Sequence, residues 1–200
     1  MKILAVEDIE QNRHLLRKLL EGYGYSVVVA RNGVEALEGA RESPPDMVIT
    51  DTLMPRMDGF QLCRTLKSDE KLKTIPVLFY SATYTDKKSR ELAFEIGAAE
   101  YIVKPIEPDK FIKIIKGTFE KHERGELKPI EKPLEEPVYM ELYNERLIQK
   151  LEEKTLGTGL GLHLTKKIMK NVFNGNIMVE SQYGRGGTFT LIIPLGAVVR

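Results

Sequence analysis

Five short apolar runs of strand length occur within the first 121 residues and alternate with longer amphipathic stretches. The runs are KILAV, YSVVVA, MVIT, VLFYS and EYIV. The stretches between them carry apolar residues at helical spacing, such as Leu15, Leu16, Leu19 and Leu20 in the first and Leu92, Ala93 and Ile96 in the fourth. Because each run is apolar on both faces, helices must cover both sides of the sheet. The pattern predicts an α/β fold with a doubly wound, five-stranded parallel sheet.

Composition narrows the class of protein. The 200 residues are 42% hydrophobic and 30% charged, and the formal net charge of +1 gives no electrostatic reason to expect a nucleic-acid or membrane partner. A single cysteine, Cys63, excludes an internal disulfide. The first residues, MKILAVEDIEQNR, turn acidic after an apolar run too short for a signal peptide or a membrane span. We therefore expect a soluble, cytoplasmic protein.

The sequence changes character after residue 121. The segment KHERGELKPIEKPLEEP contains three prolines among charged residues, which is typical of a linker. The next stretch, residues 138–154, carries Met140, Tyr143, Leu147 and Leu151 at helical spacing and predicts an amphipathic connecting helix. This helix would lie on its own domain or form a short coiled coil between two chains. The predicted divisions are 1–121, 122–154 and 155–200.

The final segment predicts a small helix followed by a β-hairpin. Its helix carries Leu160, Leu164, Ile168 and Val172, and two strand-like runs, NIMVES and TFTLIIPL, are joined by the glycine-rich QYGRGG. A helix and one hairpin of roughly 40 residues rarely bury enough apolar surface to fold alone. We expect this tail to pack on the connecting helix, on the first domain or on a second chain, which predicts a homodimer through residues 138–195.

Polar side chains stand at the ends of four of the predicted strands. Glu7 and Asp8 end the first strand, Asp51 the third and Ser81 the fourth, and Lys104 follows the fifth. With the first strand central, these side chains would meet at one edge of the sheet. Each has an ordinary explanation alone, such as a helix cap for Asp51 or a solvated side chain for Lys104. Together, three carboxylates repel one another unless a cation lies among them, and Mg²⁺ prefers oxygen ligands. The cluster predicts a metal-dependent phosphoryl site.

Four segments carry a resemblance to a known family. VEDIEQNR, VITDTLMPRMDG, FYSAT and YIVKP occur in this order within residues 1 to about 121 and resemble response-regulator receiver domains, which have a flavodoxin-like fold. The resemblance implies that Asp51 is phosphorylated by a partner histidine kinase or phosphotransfer protein. It also implies that Glu7, Asp8, Asp51 and the main-chain carbonyl of Leu53 hold Mg²⁺.

The same resemblance assigns three further residues. It implies that Lys104 pairs with the phosphoryl oxygens and that Ser81 hydrogen-bonds them. Tyr101 would be the aromatic side chain that changes rotamer on activation, so Ser81 and Tyr101 form the switch. The bond before Pro105 would be cis. Leu53 departs from the better-known members, in which a polar residue two positions after the acceptor orients a hydrolytic water, and this predicts slow loss of the phosphoryl group.

The tail carries a second resemblance. GTGLGLHLTKKI and the later turn before the last strand, over about residues 155–195, are similar to the C-terminal part of the ATP-binding domain of sensor histidine kinases. There Gly157, Gly159 and Gly161 match the glycine box that begins a helix facing the nucleotide phosphates. The magnesium-binding asparagine helix and the adenine-reading DxGxG segment of that family do not precede the box in residues 122–154. We therefore expect no ATP cofactor and no independent kinase activity.

Three functions agree with these observations. The first is a phosphorelay receiver that is phosphorylated on Asp51 and acts through protein contacts. The second is a fragment of a hybrid histidine kinase with residual ATP binding, completed by a partner. The third is a dimerisation or docking platform that phosphorylation regulates.

Overall fold

Five parallel strands form one sheet at the centre of residues 1–127. They are β1 (Lys2–Val6), β2 (Ser26–Ala30), β3 (Met47–Thr50), β4 (Val77–Ser81) and β5 (Glu100–Val103), in the spatial order β2-β1-β3-β4-β5. The predicted five-stranded, doubly wound parallel sheet is confirmed. The prediction that the first strand is central was wrong, because β3 occupies the middle and β1 lies between β2 and β3.

The protein is described by a computed structural model, which covers residues 1–82, 86–127, 134 and 137–144 and the backbone of 176–182 and 186–192. The chain divides into two compact units, Met1–Tyr143 and Asn144–Arg200. The first unit contains the five-stranded sheet. Among the described residues, no helix is long and apolar enough to cross a membrane.

Five helices follow the five strands in turn. They are α1 (Glu10–Gly22), α2 (Gly33–Glu42), α3 (Gly59–Ser68), α4 (Lys87–Glu95) and α5 (Pro108–Glu123). Side chains fix where three of them begin: Asn32, Asp58 and Asp86 accept hydrogen bonds from main-chain amides in the first turns of α2, α3 and α4. Pro108 begins α5, where its fixed φ suits the first helical position.

The sheet and the helices α1 and α5 enclose one apolar core. Its fully buried residues include Ile3 and Met47 from the strands and Leu20, Phe111 and Ile115 from the helices. The helical spacing predicted for α1 is confirmed, and within it Leu16 and Leu20 are buried whereas Leu15 is 69% exposed. One sequence expectation was wrong in part: the run in β2 is not covered on both faces, since β2 is an edge strand whose Val28 is 42% exposed.

Residues 137–144 are helical, and all but the last of them belong to the first unit, which contains the five-stranded sheet. The buried positions are Tyr139 and Tyr143, each 2% exposed, whereas Met140 belongs to the exposed face. The predicted apolar stripe was therefore wrong at Met140 and right at Tyr143. The predicted continuation of this helix to residue 154 lies outside the described residues.

An antiparallel hairpin is described in the second unit. Its strands are β6 (Asn176–Gln182) and β7 (Gly186–Ile192), and Asn176 pairs with Ile192 at the open end. The two predicted strands of the hairpin therefore agree with the structure, whereas residues 183–185 of the predicted glycine-rich turn lie outside the described residues. The glycine box at residues 157–161 lies outside the described residues.

Candidate functional site

The carboxyl ends of β1, β3, β4 and β5 place the five predicted polar residues at one edge of the sheet. Parallel pairing aligns Val6 with Thr50 and Ser81 with Val103, so the residues that follow these strands are neighbours. A crevice at this edge is the usual ligand position in an open parallel sheet. The side chains that sequence analysis brought together are therefore together in the structure.

Asp51 lies at the centre of this cluster. One of its carboxylate oxygens, Oδ1, accepts hydrogen bonds from the Ser81 hydroxyl and from the main-chain amide of Thr52, the latter at 2.6 Å. The other, Oδ2, lies 3.7 Å from the Lys104 ammonium. Asp51 is thus held by neighbours on β4 and after β5, and it does not cap a helix.

Lys104 forms a nearly buried ion pair with Glu7. Its Nζ lies 2.6 Å from Glu7 Oε2 and 4.8 Å from the centroid of the Tyr80 ring. Burial alone would lower the pKa of Lys104, but the Asp51 and Glu7 carboxylates outweigh burial and raise the pKa above its usual value. The lysine therefore supplies a fixed positive charge beside Asp51.

Three carboxylates converge beside this lysine. Glu7, Asp8 and Asp51 each offer an oxygen atom, and these atoms lie within 4.8 Å of one another. Glu7 is 1% exposed, and its Oε1 also accepts a hydrogen bond from Asn12 at 3.3 Å. One lysine cannot neutralise three carboxylates, so the donor set fits a hard divalent cation with oxygen ligands.

A chain of hydroxyl groups leads from Asp51 into the core. The Ser81 hydroxyl, which donates to Asp51, is also hydrogen-bonded to the Thr52 hydroxyl at 2.5 Å. The Tyr101 hydroxyl is hydrogen-bonded to Thr52 in turn. Tyr101 is buried, and burial together with the Asp51 charge raises its pKa. The two predicted switch residues are thus connected to Asp51 and to each other through Thr52.

The loop from Asp51 to α3 packs closely on the site. A Cβ added to Gly59 would lie 2.1 Å from the Asp51 carbonyl oxygen, so only glycine fits there. The Gly59 amide donates to the Thr52 carbonyl at 3.0 Å. Leu53 lies in this loop and is half-buried, and its predicted role as a carbonyl ligand stays a prediction. The bond between Lys104 and Pro105 is cis, as the resemblance implied.

Sequence analysis missed two features of this region. Thr52 was not singled out, and the only sequence signal was a hydroxyl directly after the candidate acceptor. Asp58 caps α3, and its contact with Tyr143 was not anticipated. Gly157, Gly159 and Gly161 lie outside the described residues.

Comparison with known proteins gives the same family throughout. The family described as "Response regulator receiver domain" matches residues 3–116. The polar-differentiation response regulator DivK of Brucella anthropi is 40% identical over 114 residues, which cover 57% of this chain and 92% of that protein. The DivK protein of Brucella ovis is equally similar, with 40% identity over 114 residues.

Solved structures resemble the same part of the chain. A putative response regulator from Chloroflexus aurantiacus matches with a TM-score of 0.57 and 34% identity, covering 60% of this chain and 97% of that one. The receiver domain of a signal transduction histidine kinase from Syntrophus aciditrophicus matches with a TM-score of 0.55 and 36% identity, covering 60% and 89%. The Vibrio cholerae chemotaxis protein CheY4 matches with a TM-score of 0.56 and 30% identity, covering 58% and 97%. The chain therefore belongs to the response regulator receiver domain family and acts in phosphorelay signal transduction.

Proposed function

We propose that Asp51 accepts a phosphoryl group from a histidine kinase or phosphotransfer protein, with Mg²⁺ bound by Glu7, Asp8 and Asp51. The observation that carries this proposal is the convergence of Lys104, Ser81 and two further carboxylates on Asp51. Phosphoryl transfer requires positioning and neutralisation of charge more than covalent chemistry from the protein. The cluster supplies both.

In the proposed reaction, a carboxylate oxygen of Asp51 attacks the phosphorus of a phosphohistidine. The new O–P bond forms as the P–N bond to the imidazole breaks, and the imidazole leaves with the bonding electrons. Bound Mg²⁺ would neutralise charge on the phosphoryl oxygens. The Leu53 carbonyl is the proposed further ligand from the protein.

Two side chains of this chain complete the proposed site. Lys104, held by Glu7 at 2.6 Å and 3.7 Å from Asp51, would contact a phosphoryl oxygen. The Ser81 hydroxyl now donates to Asp51 and would donate to a phosphoryl oxygen once one is attached. The hydrogen bonds through Thr52 would then pass the change to Tyr101, so that the output is an altered protein surface.

Intact-mass analysis tests this proposal. The wild type, incubated with Mg²⁺ and acetyl phosphate, should gain the mass of one phosphoryl group, and Asp51→Asn should gain none. Omission of Mg²⁺ with added EDTA should abolish the gain, and Lys104→Ala should slow it. A mass gain on Asp51→Asn equal to that of the wild type would refute the assignment of the acceptor.

For the tail, we propose that about residues 155–195 are a remnant of a kinase ATP-binding domain. The hairpin of β6 and β7 lies in the second half of this segment and supports the resemblance there. Saturable binding of a labelled ATP analogue that is lost in Gly159→Val would favour residual nucleotide binding instead. The homodimer through residues 138–195 is likewise a proposal, and a strict monomer by light scattering at all concentrations would count against it.

A further inference from the structure

The helical segment 137–144 contacts the beginning of α3 through two tyrosines. The Tyr143 hydroxyl donates a hydrogen bond to the Asp58 carboxylate, which caps α3. The ring of Tyr139 stacks on that of Tyr143, with centroids 5.6 Å apart, and the Arg64 guanidinium lies 4.7 Å from the Tyr139 centroid. We refer to this set of contacts as the α3 docking site.

The docking site extends beyond the helix itself. Arg64 also donates to the main-chain carbonyl of Leu134, at 3.5 Å. The contacts on the receiver side therefore run from Asp58, before α3, to Arg64 in its middle. Both aromatic stacking and charged hydrogen bonds hold the segment.

The α3 docking site shares its backbone with the proposed phosphorylation site. Asp58 is followed by Gly59, whose Cα packs so tightly on the Asp51 carbonyl that a Cβ would lie 2.1 Å from that oxygen. The Gly59 amide is also hydrogen-bonded to the Thr52 carbonyl. A shift at the start of α3 must therefore displace the loop that carries Asp51, because close-packed atoms transmit displacement.

A row of aromatic rings gives a second connection. The Tyr143 ring lies edge-on to Phe60 at 6.4 Å, Phe60 packs on Phe79 at 5.1 Å, and Phe79 stacks on Tyr101 at 5.5 Å. These centroid distances fall in the range of favourable aromatic pairs. The row therefore joins the docked helix to the switch tyrosine, which is connected through hydroxyl groups to Asp51.

We propose that residues 137–144 are an intramolecular regulatory helix, and that its docking on α3 and phosphorylation of Asp51 stabilise each other. This inference rests on the proposed function. In the structure, the docked helix coexists with a buried Tyr101 and with Ser81 turned to Asp51. A phosphoryl group would favour the same arrangement, because it offers the Ser81 hydroxyl an acceptor. By thermodynamic linkage, the factor by which a bound phosphoryl mimic tightens docking equals the factor by which docking tightens the binding of that mimic.

One contact of the docking site has an energetic cost that offsets part of the favourable free energy of docking. Tyr143 covers a carboxyl group, and taking a carboxylate out of water is costly even when it is hydrogen-bonded. A contact that served only to stabilise the fold would gain more if apolar residues replaced both Asp58 and Tyr143, whereas removal of the Tyr143 hydroxyl alone leaves the Asp58 carboxylate without that donor. Because the cost of covering Asp58 weakens docking, coupling to another site can change the fraction of molecules in which the helix is docked.

Hydrogen exchange on the full chain tests the coupling directly. The probe is beryllium fluoride with Mg²⁺, which mimics a phosphoryl group on a carboxylate, and its binding is measured separately by fluorine NMR. We expect the amides of residues 137–144 to exchange at least about fivefold more slowly when the mimic is bound. Asp51→Asn should bind no mimic and show no slowing.

The reciprocal arm measures the affinity for the mimic. Tyr143→Phe removes only the hydroxyl that bonds Asp58, so docking should weaken and the dissociation constant of the mimic should rise by about fivefold. Val138→Ala is the matched control, because Val138 is on the exposed face of the same segment. It should leave that constant unchanged.

Each outcome decides between the alternatives. Slower exchange with the reciprocal loss of affinity would support the proposal. Unchanged or faster exchange at 137–144 with the mimic bound would overturn it and leave the receiver function standing. Absence of mimic binding to the wild type would overturn both the coupling and the proposed phosphorylation site.

Discussion

Replacement of Asp58 by Asn should change how the stability of the first unit depends on pH. Burial raises the pKa of Asp58 from 3.8 to about 6, and hydrogen bonds from the Gln61 amide, the Tyr143 hydroxyl and the Phe60 amide only partly offset burial. Between these two pH values the folded protein holds a proton that the unfolded chain has released. The contribution of Asp58 to stability is therefore fully present below pH 3.8 and is lost as the pH rises through about 6.

The magnitude follows from the two pKa values. They differ by roughly two pH units, which corresponds to about 3 kcal/mol at 1.36 kcal/mol per unit. Asn has nearly the shape of Asp and an amide oxygen that can still accept from the Gln61 amide, so it should keep the α3 cap. It carries no charge at any pH. The free energy of unfolding of Asp58→Asn relative to wild type should therefore rise by up to about 3 kcal/mol between pH 4 and pH 7.5.

Urea unfolding followed by circular dichroism across this pH range is the assay. Asp69→Asn is the control, because Asp69 is a carboxyl group at the surface whose pKa is shifted in the opposite direction. A hydrogen bond from the Lys71 amide is the main cause of its lowered pKa. Its contribution has the opposite sign, since it is present above the unfolded pKa and is lost as the pH falls. Parallel pH profiles for wild type and Asp58→Asn would refute the reasoning that the docked helix seals this carboxyl from water.

Three further changes test the loop after β3. Gly59→Ala should lower the free energy of unfolding by about 3 kcal/mol or more, because its Cβ would lie 2.1 Å from the Asp51 carbonyl oxygen. Gly39→Ala is the comparison: nothing lies within 4 Å of its added Cβ, so it should raise the free energy of unfolding by about 0.5–1 kcal/mol. Urea unfolding measures both variants. Thr52→Val should cost about 1–3 kcal/mol in the same assay, since it leaves buried hydroxyl groups short of a partner. Leu53→Asn should shorten the half-life of the phosphoryl group, followed by intact mass, because an amide can orient a hydrolytic water; an equal or longer half-life in the variant would contradict this.

The sheet and the site were predictable because both depend on local patterns. Buried parallel strands must be apolar on both faces, so the runs KILAV, MVIT, VLFYS and EYIV mark β1, β3, β4 and β5 at their observed bounds. The polar residues that end these runs then fall at one edge, whatever the details of packing. The exposure of Leu15 and of Val28 was not predictable for one reason: an apolar residue on a helix or an edge strand is often exposed, and its sequence neighbours do not reveal which side faces the core.

The contacts that sequence analysis missed join distant parts of the chain. Asp58 and Tyr143 are 85 positions apart, and the dipeptide of Asp58 and Gly59 is explained fully as a helix cap and turn. The helical spacing around Tyr143 predicted an amphipathic segment, but amphipathicity does not name the surface that receives it. Thr52 was missed because a hydroxyl after a strand is common, and only the geometry of β4 and β5 connects it to Ser81 and Tyr101.

The helix 137–144 and the surface that it covers belong to one polypeptide, so in the monomeric chain docking is a unimolecular equilibrium that does not depend on protein concentration. Another protein that recognises the start of α3 can bind only the undocked fraction of molecules. Its apparent dissociation constant is the intrinsic one divided by that fraction, so each 1.4 kcal/mol that favours docking weakens such a partner about tenfold. The segment therefore sets an affinity threshold for partners at this face, and the threshold stays the same however much receiver the cell makes.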